Sequence, residues 1–403
     1  MPVSMRLCVF DLSVEVLLGA SLSAEDAERI RSSWSRCLAP DQTSDPAPAA
    51  VAAPGSAARR LALDALAEAR SAHAAAVWVS GSEGEPSLAE GATVAELEQS
   101  LASTVTLAAI NARVGLNPML HAAGLADPAT GRAVALVAPS GTGKTTACRV
   151  LGQRFSYLTD ETVFIDDGAV LPYPKPLSVI EVQGEPKAQR SPDELGLGAT
   201  VRGARLHAVA ILERVDAADL PSDVEVTRIP TADAVHQLVP QMSGAPSMRG
   251  PISAVIDLIE SVGGLVRIAY SDSAALEPVV ARLLSEPPAS FDRPQLIEVP
   301  SQPDEAPAPL TGAASYRRKA VRQALTVDDR LLLMLPDTLL EVSDLGFSVY
   351  SACPAWATLD EIVARVEEEH GSHPEGRSIV SGALDQLLEA GVIEISAGAP
   401  EPH

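Results

Sequence analysis

The sequence predicts an α/β P-loop core, with an N-terminal α/β segment before it and a small winged-helix domain after it. Three observations predict this. An apolar run, Ala133 to Val137, leads through a glycine-rich turn into Ala147 to Leu151, which reads as the start of a helix. A proline-rich, acidic stretch over residues 285–313 then interrupts the folded pattern, because such a composition favours an extended chain over a packed core. Beyond it, a hydrophobic hairpin and three helix-period segments end on a short strand. The expected division is an N-terminal segment over 1–117, the P-loop core over 118–284, a linker over 285–315 and the C-terminal domain over 316–396.

In chain order, Ser23 to Arg36 reads as a helix capped by Ser23, with Glu25 and Asp26 in its first turn. Residues 39–56, rich in Ala, Pro and Ser, read as a flexible insertion. Ala74 to Val79 reads as a strand, Val94 to Val114 as a long helix, and Met119 to Ala126 as one strand carrying His121. Asp127 to Arg132 is a turn into the buried strand Ala133–Val137. Phe155 to Thr162 is a short apolar strand ending in the acids Asp160 and Glu161. Val163–Asp166 and Ala169–Leu171 form a hairpin, because Asp167-Gly168 suits a type I′ turn. Arg205 to Leu212 is another strand.

The stretch Ala138-Pro139-Ser140-Gly141-Thr142-Gly143-Lys144-Thr145-Thr146 has the spacing of a phosphate-cradling loop. Its glycines let successive N–H groups face a polyphosphate, and the following helix adds its positive end. Ser140, Gly141, Thr142, Gly143, Lys144, Thr145 and Thr146 are therefore the candidate nucleotide contacts. Lys144 would reach the outer phosphates, and the Thr145 hydroxyl would help complete an Mg²⁺ shell. Ala138 stands where the pattern has glycine. A left-handed backbone there would cost about 1 kcal/mol. Asp160 and Glu161 sit at a strand end, where ligand-facing acids fall in an α/β sheet; the plain alternative is two solvated acids. A lone histidine such as His121 is more often a satisfied polar group than a catalyst.

The chain has 403 residues, 46% of them hydrophobic and 3% aromatic, and a formal charge of −23, which argues against nucleic acid or an anionic membrane as partner. Cys8, Cys37, Cys148 and Cys353 show neither zinc-ligand nor disulfide-framework spacing. There is no signal-peptide pattern at Met1–Leu7, and no apolar run approaches the ~20 residues of a membrane helix. A reduced, cytoplasmic, soluble protein is expected.

The run from His121-Ala122-Ala123 through Ser140–Thr145 to Leu158-Thr159-Asp160-Glu161 resembles the HPr kinase/phosphorylase family, whose P-loop core is shared with phosphoenolpyruvate carboxykinases. The resemblance covers roughly residues 100–250 and implies ATP and Mg²⁺ as cofactors and a protein serine as acceptor. It places Lys144 and Thr145 at phosphate and metal, Asp160 at the acceptor proton, and Glu161 where the family has a second aspartate. His121 matches the histidine upstream of the loop. The segment Leu171-Pro172-Tyr173-Pro174-Lys175-Pro176-Leu177-Ser178 is closer to the HPr-kinase-related proteins of bacterial peptide-natural-product clusters. Ala138 and Glu161 depart from the family, as does the lack of its later glycine-rich signature. Homo-oligomer formation is a further implication, with no number attached.

In the C-terminal part, Leu331–Leu335 and Thr338–Val342 form a hairpin across Pro336-Asp337. Helices follow over Leu345–Cys353, around Leu359, Ile362, Val363 and Val366, and around Ile379, Val380, Leu384, Leu387 and Leu388. Gly391 ends the last, and Val392–Ile395 closes as a strand. Glu367-Glu368-Glu369 and the acids of the last helix oppose a DNA-binding reading. Arg317-Arg318-Lys319 with Arg322 reads as a solvated linker end. The order of elements, with Thr358–Val363 and Leu387–Ile393, resembles the PqqD family, the RiPP recognition element. That resemblance implies binding of a precursor leader peptide as an added strand against a groove formed with the last helix.

Together the resemblances imply work on ribosomally synthesised, post-translationally modified peptides. The primary expectation is a recognition and scaffold subunit that binds leader peptide and ATP and serves tailoring enzymes. The alternative is an ATP-dependent Ser/Thr kinase of the precursor, with Asp160, Lys144 and His121 catalytic and Thr145 and Glu161 at the metal.

Overall fold

The structure is a computed structural model that describes residues 3–40, 57–82, 84–139, 142–180, 187–304, 313–342 and 344–396. The 39–56 insertion lies mostly outside the described residues. The chain divides into two compact units. The first comprises Met1–Ile229, Gln241–Ala245 and Leu258–Phe291, and the second Pro230–Pro240, Pro246–Asp257 and Asp292–His403.

In the first unit, β1 (Val3–Val9) and β2 (Leu12–Leu18) form a hairpin turned by Phe10 and Asp11, both left-handed. Next come α1 (Ala24–Ser33) and α2 (Ala57–Glu68). The Ser23 hydroxyl accepts the Asp26 N–H at 3.0 Å, so the expected cap forms, although the α-helix stops at Ser33. β3 (His73–Val79) and β4 (Ser87–Gly91) complete an antiparallel sheet in the order β1-β2-β3-β4. α3 (Val94–Arg113) starts in a capping box, Thr93 with Glu96, and sends Leu97, Leu101 and Val105 into the same core as Phe10, Ile30 and Trp34.

The second sheet holds the P-loop element. Its strands are β5 (Met119–Leu120), β6 (Ala122–Ala126), β7 (Arg132–Val137), β8 (Ser156–Thr159), β9 (Val163–Asp166), β10 (Ala169–Leu171), β13 (Arg205–Arg214), β14 (Val224–Ile229) and β15 (Leu265–Tyr270). α4 (Lys144–Leu151) connects β7 to β8, and β11 (Leu177–Val179) pairs with β12 (Ala188–Arg190). The order is β5-β9-β10-β13-β7-β6-β8, with β15 also on β13 and β14 on β15. β13 runs parallel to β7 and β15, while β6 is antiparallel to both β7 and β8, so the sheet is mixed and the fold α/β. Buried on both faces, β7 reads as a continuous apolar run.

The expected single strand Met119–Ala126 is two. β5 pairs with β9, β6 pairs with β7 and β8, and His121 lies at the switch with its N–H donated to Gln241 O at 2.7 Å. The Asp167-Gly168 turn forms as expected, with φ of 45° and 73°.

The chain next gives α5 (Thr231–Leu238), α6 (Pro251–Ser261) and α7 (Leu276–Ser285). α5 and the first part of α6 belong to the second unit. Both helices bury apolar side chains, among them Val235, Leu238, Ile252 and Val255, and polar bonds add to this: Arg330 pairs with Asp233 at 2.7 Å, and the Gln323 side chain accepts the Ile252 N–H and donates to Ser253 Oγ. The rest of that unit is β16 (Leu296–Val299), β17 (Ser315–Arg318), β18 (Gln323–Val327), β19 (Arg330–Met334), β20 (Leu339–Val342), α8 (Asp344–Ser351), β21 (Ala357–Thr358), α9 (Leu359–His370), α10 (Gly376–Glu389) and β22 (Ile393–Ser396). One antiparallel sheet runs β16-β18-β19-β20 and another β21-β17-β22. The 285–315 stretch therefore contributes a strand, β16, as well as connecting chain.

Arg317 and Arg318 are not a solvated linker end. They lie on β17, where Arg318 is 4% exposed with its guanidinium over the Tyr350 ring, and Arg317 pairs with Glu394 at 2.6 Å. Strand pairing to β22 fixes both. Among the described residues all four cysteines are free thiols, and no helix is long and apolar enough to cross a membrane.

Candidate functional site

One cleft of about 390 Å³ in the first unit is lined by α3, the β5–β6 switch, the loop after β7, the start of α4, the end of β8, the 172–180 segment and Lys187. Its lining includes His121, Lys144, Thr145, Asp160, Glu161 and Lys175. Ser140 and Gly141 lie outside the described residues. Thr142, Gly143 and Thr146 lie around the start of α4, and the Thr142 hydroxyl donates to Pro139 O at 2.7 Å.

Gly143 caps α4 with φ of 96°, a conformation that a Cβ disfavours. Ala138, in contrast, is not left-handed: it is a buried residue of the core at the end of β7. The expected backbone cost of Ala138 is therefore not incurred, because its position does not use the conformation that favours glycine.

Lys144 opens α4 and is 7% exposed. Its Nζ donates to Ala138 O at 3.0 Å and to His121 O at 3.3 Å, and among the described residues no carboxylate is within ion-pair distance. Burial draws its pKa down to about 8, against the opposing pull of Asp160 and Glu161. A desolvated cation resting on carbonyls at a helix amino end, beside a left-handed glycine, suits an incoming phosphate. His121 is half-buried, and burial followed by the Lys144 charge lowers its pKa, leaving a neutral imidazole at pH 7.

Asp160 is 5% exposed at the end of β8. Its Oδ2 lies 3.4 Å from Thr145 Oγ1; its Oδ1 accepts from the Tyr157 hydroxyl at 3.2 Å and faces Lys175 Nζ at 3.2 Å. Glu161 turns the other way, with Oε2 at 3.1 Å from Lys175 and 3.4 Å from Thr106 Oγ1. The acid beside Thr145 is thus Asp160, whereas Glu161, expected with Thr145 at the metal, engages Lys175. Among the described residues no three His, Cys, Asp or Glu side chains cluster as a metal site. Thr145 and Asp160 could each give Mg²⁺ one oxygen, leaving the rest of its shell to phosphate and water, the usual division for this ion.

Sequence reasoning gave no role to Lys175, Tyr157 or Thr106. Lys175 is 3% exposed, and although burial opposes its charge, Asp160 and Glu161 outweigh that and hold the ammonium above its ordinary pKa. The available signal was a lone lysine between Pro174 and Pro176 in an apolar segment, since buried lysines are paired. Tyr173 N–H donates to Leu158 O at 2.9 Å, which lays that segment against β8 and brings Lys175 to the acids.

No protein-family model matches the chain, and no curated protein does. Among solved structures, it is similar to the Hpr(Ser) kinase/phosphatase from Coxiella burnetii over 41% of this chain and 93% of that one, at 13% identity and a TM-score of 0.23.

Proposed function

We propose that the chain binds a Mg²⁺-nucleoside triphosphate at the amino end of α4 and transfers its terminal phosphoryl group to a peptide hydroxyl, the peptide being a ribosomally made precursor held by the C-terminal unit. The observation that carries this reading is the meeting of Lys144, Thr145, Asp160 and neutral His121 in one cleft whose lining also includes Lys187 and Arg149, in a chain of net charge −23. A locally basic cleft in an acidic protein favours a polyanionic ligand.

Phosphates would lie on the α4 N–H groups and take over the Lys144 ammonium from its two carbonyls. Bound Mg²⁺ would neutralise charge on the phosphate oxygens, with Thr145 and Asp160 as its protein ligands. As the acceptor oxygen bonds to the γ-phosphorus, the bond to the β-phosphate oxygen breaks, nucleoside diphosphate leaves, and the hydroxyl proton must go to a base. Asp160 is engaged by Tyr157 and Lys175 and lies beside Thr145, whereas the half-buried His121 ring is neutral, so we assign the proton to His121.

For the peptide, the resemblance to the PqqD family is joined by one structural feature: β20 has β19 as its strand partner among the described residues, and Leu339 and Leu340 on it are half-buried. A leader adding there would be held by backbone bonds, with side-chain pockets supplying selectivity. Tethering would raise the effective acceptor concentration at a slow active site.

The test is the intact mass of a candidate precursor peptide, one that binds the C-terminal unit, after incubation with the protein and Mg²⁺-ATP. A gain of one phosphate, absent with Lys144→Met, supports the kinase reading. An unchanged mass with the peptide still bound would make the chain a recognition scaffold for separate tailoring enzymes.

A further inference from the structure

The Lys175 ammonium occupies the place of a cation bridging two carboxylates. It lies 3.2 Å from Asp160 Oδ1 and 3.1 Å from Glu161 Oε2, and it donates to Pro176 O at 3.2 Å. The same two oxygens also accept from Tyr157 and Thr106. This leaves Asp160 Oδ2, beside Thr145 Oγ1 at 3.4 Å, and the second oxygen of the part-exposed Glu161 carboxylate. Two carboxylates, Asp160 and Glu161, are matched by two ammoniums, Lys144 and Lys175, so the site offers a dication little net attraction. Thr145 and Asp160 together supply two ligands, too few to strip water from Mg²⁺.

We propose that Lys175 is a resident cation of the acid pair, which makes metal binding depend on nucleotide: Asp160 and Glu161 hold no divalent ion until the phosphates arrive with it. This rests on the nucleotide reading above. It gives Lys175 a positioning role, since it fixes both carboxylates and touches no reacting atom. The triphosphate supplies both the missing oxygen ligands and the missing negative charge, so metal and nucleotide enter together.

The experiment is a Mn²⁺ titration of the full chain, followed by electron paramagnetic resonance, with and without a non-hydrolysable ATP analogue. Binding of a fluorescent ATP analogue is measured in parallel. Wild type is expected to bind Mn²⁺ with the analogue and at least about tenfold more weakly without it. Lys175→Met is expected to bind nucleotide-free Mn²⁺ about tenfold or more tighter than wild type, the scale of one unit charge a few ångströms away. Mn²⁺ is then also expected to raise its Tm without nucleotide. Lys175→Arg, which keeps the charge, is expected to behave as wild type.

Nucleotide-free Mn²⁺ binding by wild type as tight as with the analogue would overturn the proposal, whether or not any variant folds. So would a folded Lys175→Met with unchanged metal affinity. Failure of the fluorescent nucleotide to bind wild type would instead remove the nucleotide reading, and the proposal with it.

Discussion

Replacing Lys144 by Met separates ligand binding from stability. The ammonium is 7% exposed, bonded to two carbonyls at 3.0 and 3.3 Å, with a pKa of about 8. A phosphate at ~4 Å would interact with it by about 4 kcal/mol at an effective dielectric constant of ~20. Part of that replaces the carbonyl bonds, so the variant should lose about 2–3 kcal/mol, or roughly 30- to 150-fold in Kd. Stability should move the other way, because the buried charge is unpaired. The folded pKa lies below the ordinary lysine value of 10.5. The penalty is therefore full below pH 8 and is relieved as pH rises from 8 to 10.5, where the unfolded chain binds more protons. The variant should accordingly match or exceed the wild-type Tm at pH 7, with an advantage that shrinks at high pH. The assay is a fluorescent-ATP titration with Mg²⁺ between pH 7.5 and 9.5. Wild-type Kd should be flat up to about 8 and then weaken by up to about tenfold per pH unit, while Lys144→Met stays weak and flat. A wild-type Kd that is constant to pH 9.5, or a variant within about threefold of wild type, would refute the reasoning.

His121→Asn should keep nucleotide affinity within about threefold and lower phosphate transfer by about 10²- to 10⁴-fold, the usual range for a lost general base, as read by single-turnover mass spectrometry. Ala138→Gly, which restores the common motif, should not tighten nucleotide binding, because Ala138 is not left-handed; it should instead lower stability by about 1 kcal/mol in urea unfolding. Gly143→Ala meets no steric clash, with the Tyr270 hydroxyl 3.6 Å from the new Cβ, yet its φ of 96° should cost about 1–2 kcal/mol and weaken nucleotide binding by displacing Lys144.

What the sequence revealed was set by local chemistry. The Ser23 cap and the Asp167-Gly168 turn each depend on neighbouring residues and stand where the residues predict, while the P-loop helix begins at Lys144, ahead of the expected Ala147. The break at His121 was hidden because it arises from a change of strand partner, from β9 to β7 and β8, which leaves no periodic trace. β16 was hidden by the prolines around it, although the strand itself, Leu296–Val299, has none and pairs with β18. At the site, Lys144, Thr145 and the acids were legible from their motif. The division of labour between Asp160 and Glu161 was not, because it turns on Lys175, a residue from a separate segment brought in by the Tyr173–Leu158 bond. Arg318 was misread for the same reason: its burial comes from pairing across the β17–β22 sheet.

The central claim is that this cleft holds the outer phosphates of a nucleotide. Calorimetric titration of the wild-type chain with ATP in Mg²⁺ tests it most directly, with ADP and AMP as competitors. Saturable binding of one ATP per chain, displaced by ADP and hardly at all by AMP, is the predicted result. No binding heat at any of several temperatures, or displacement by AMP as effective as by ADP, would contradict it.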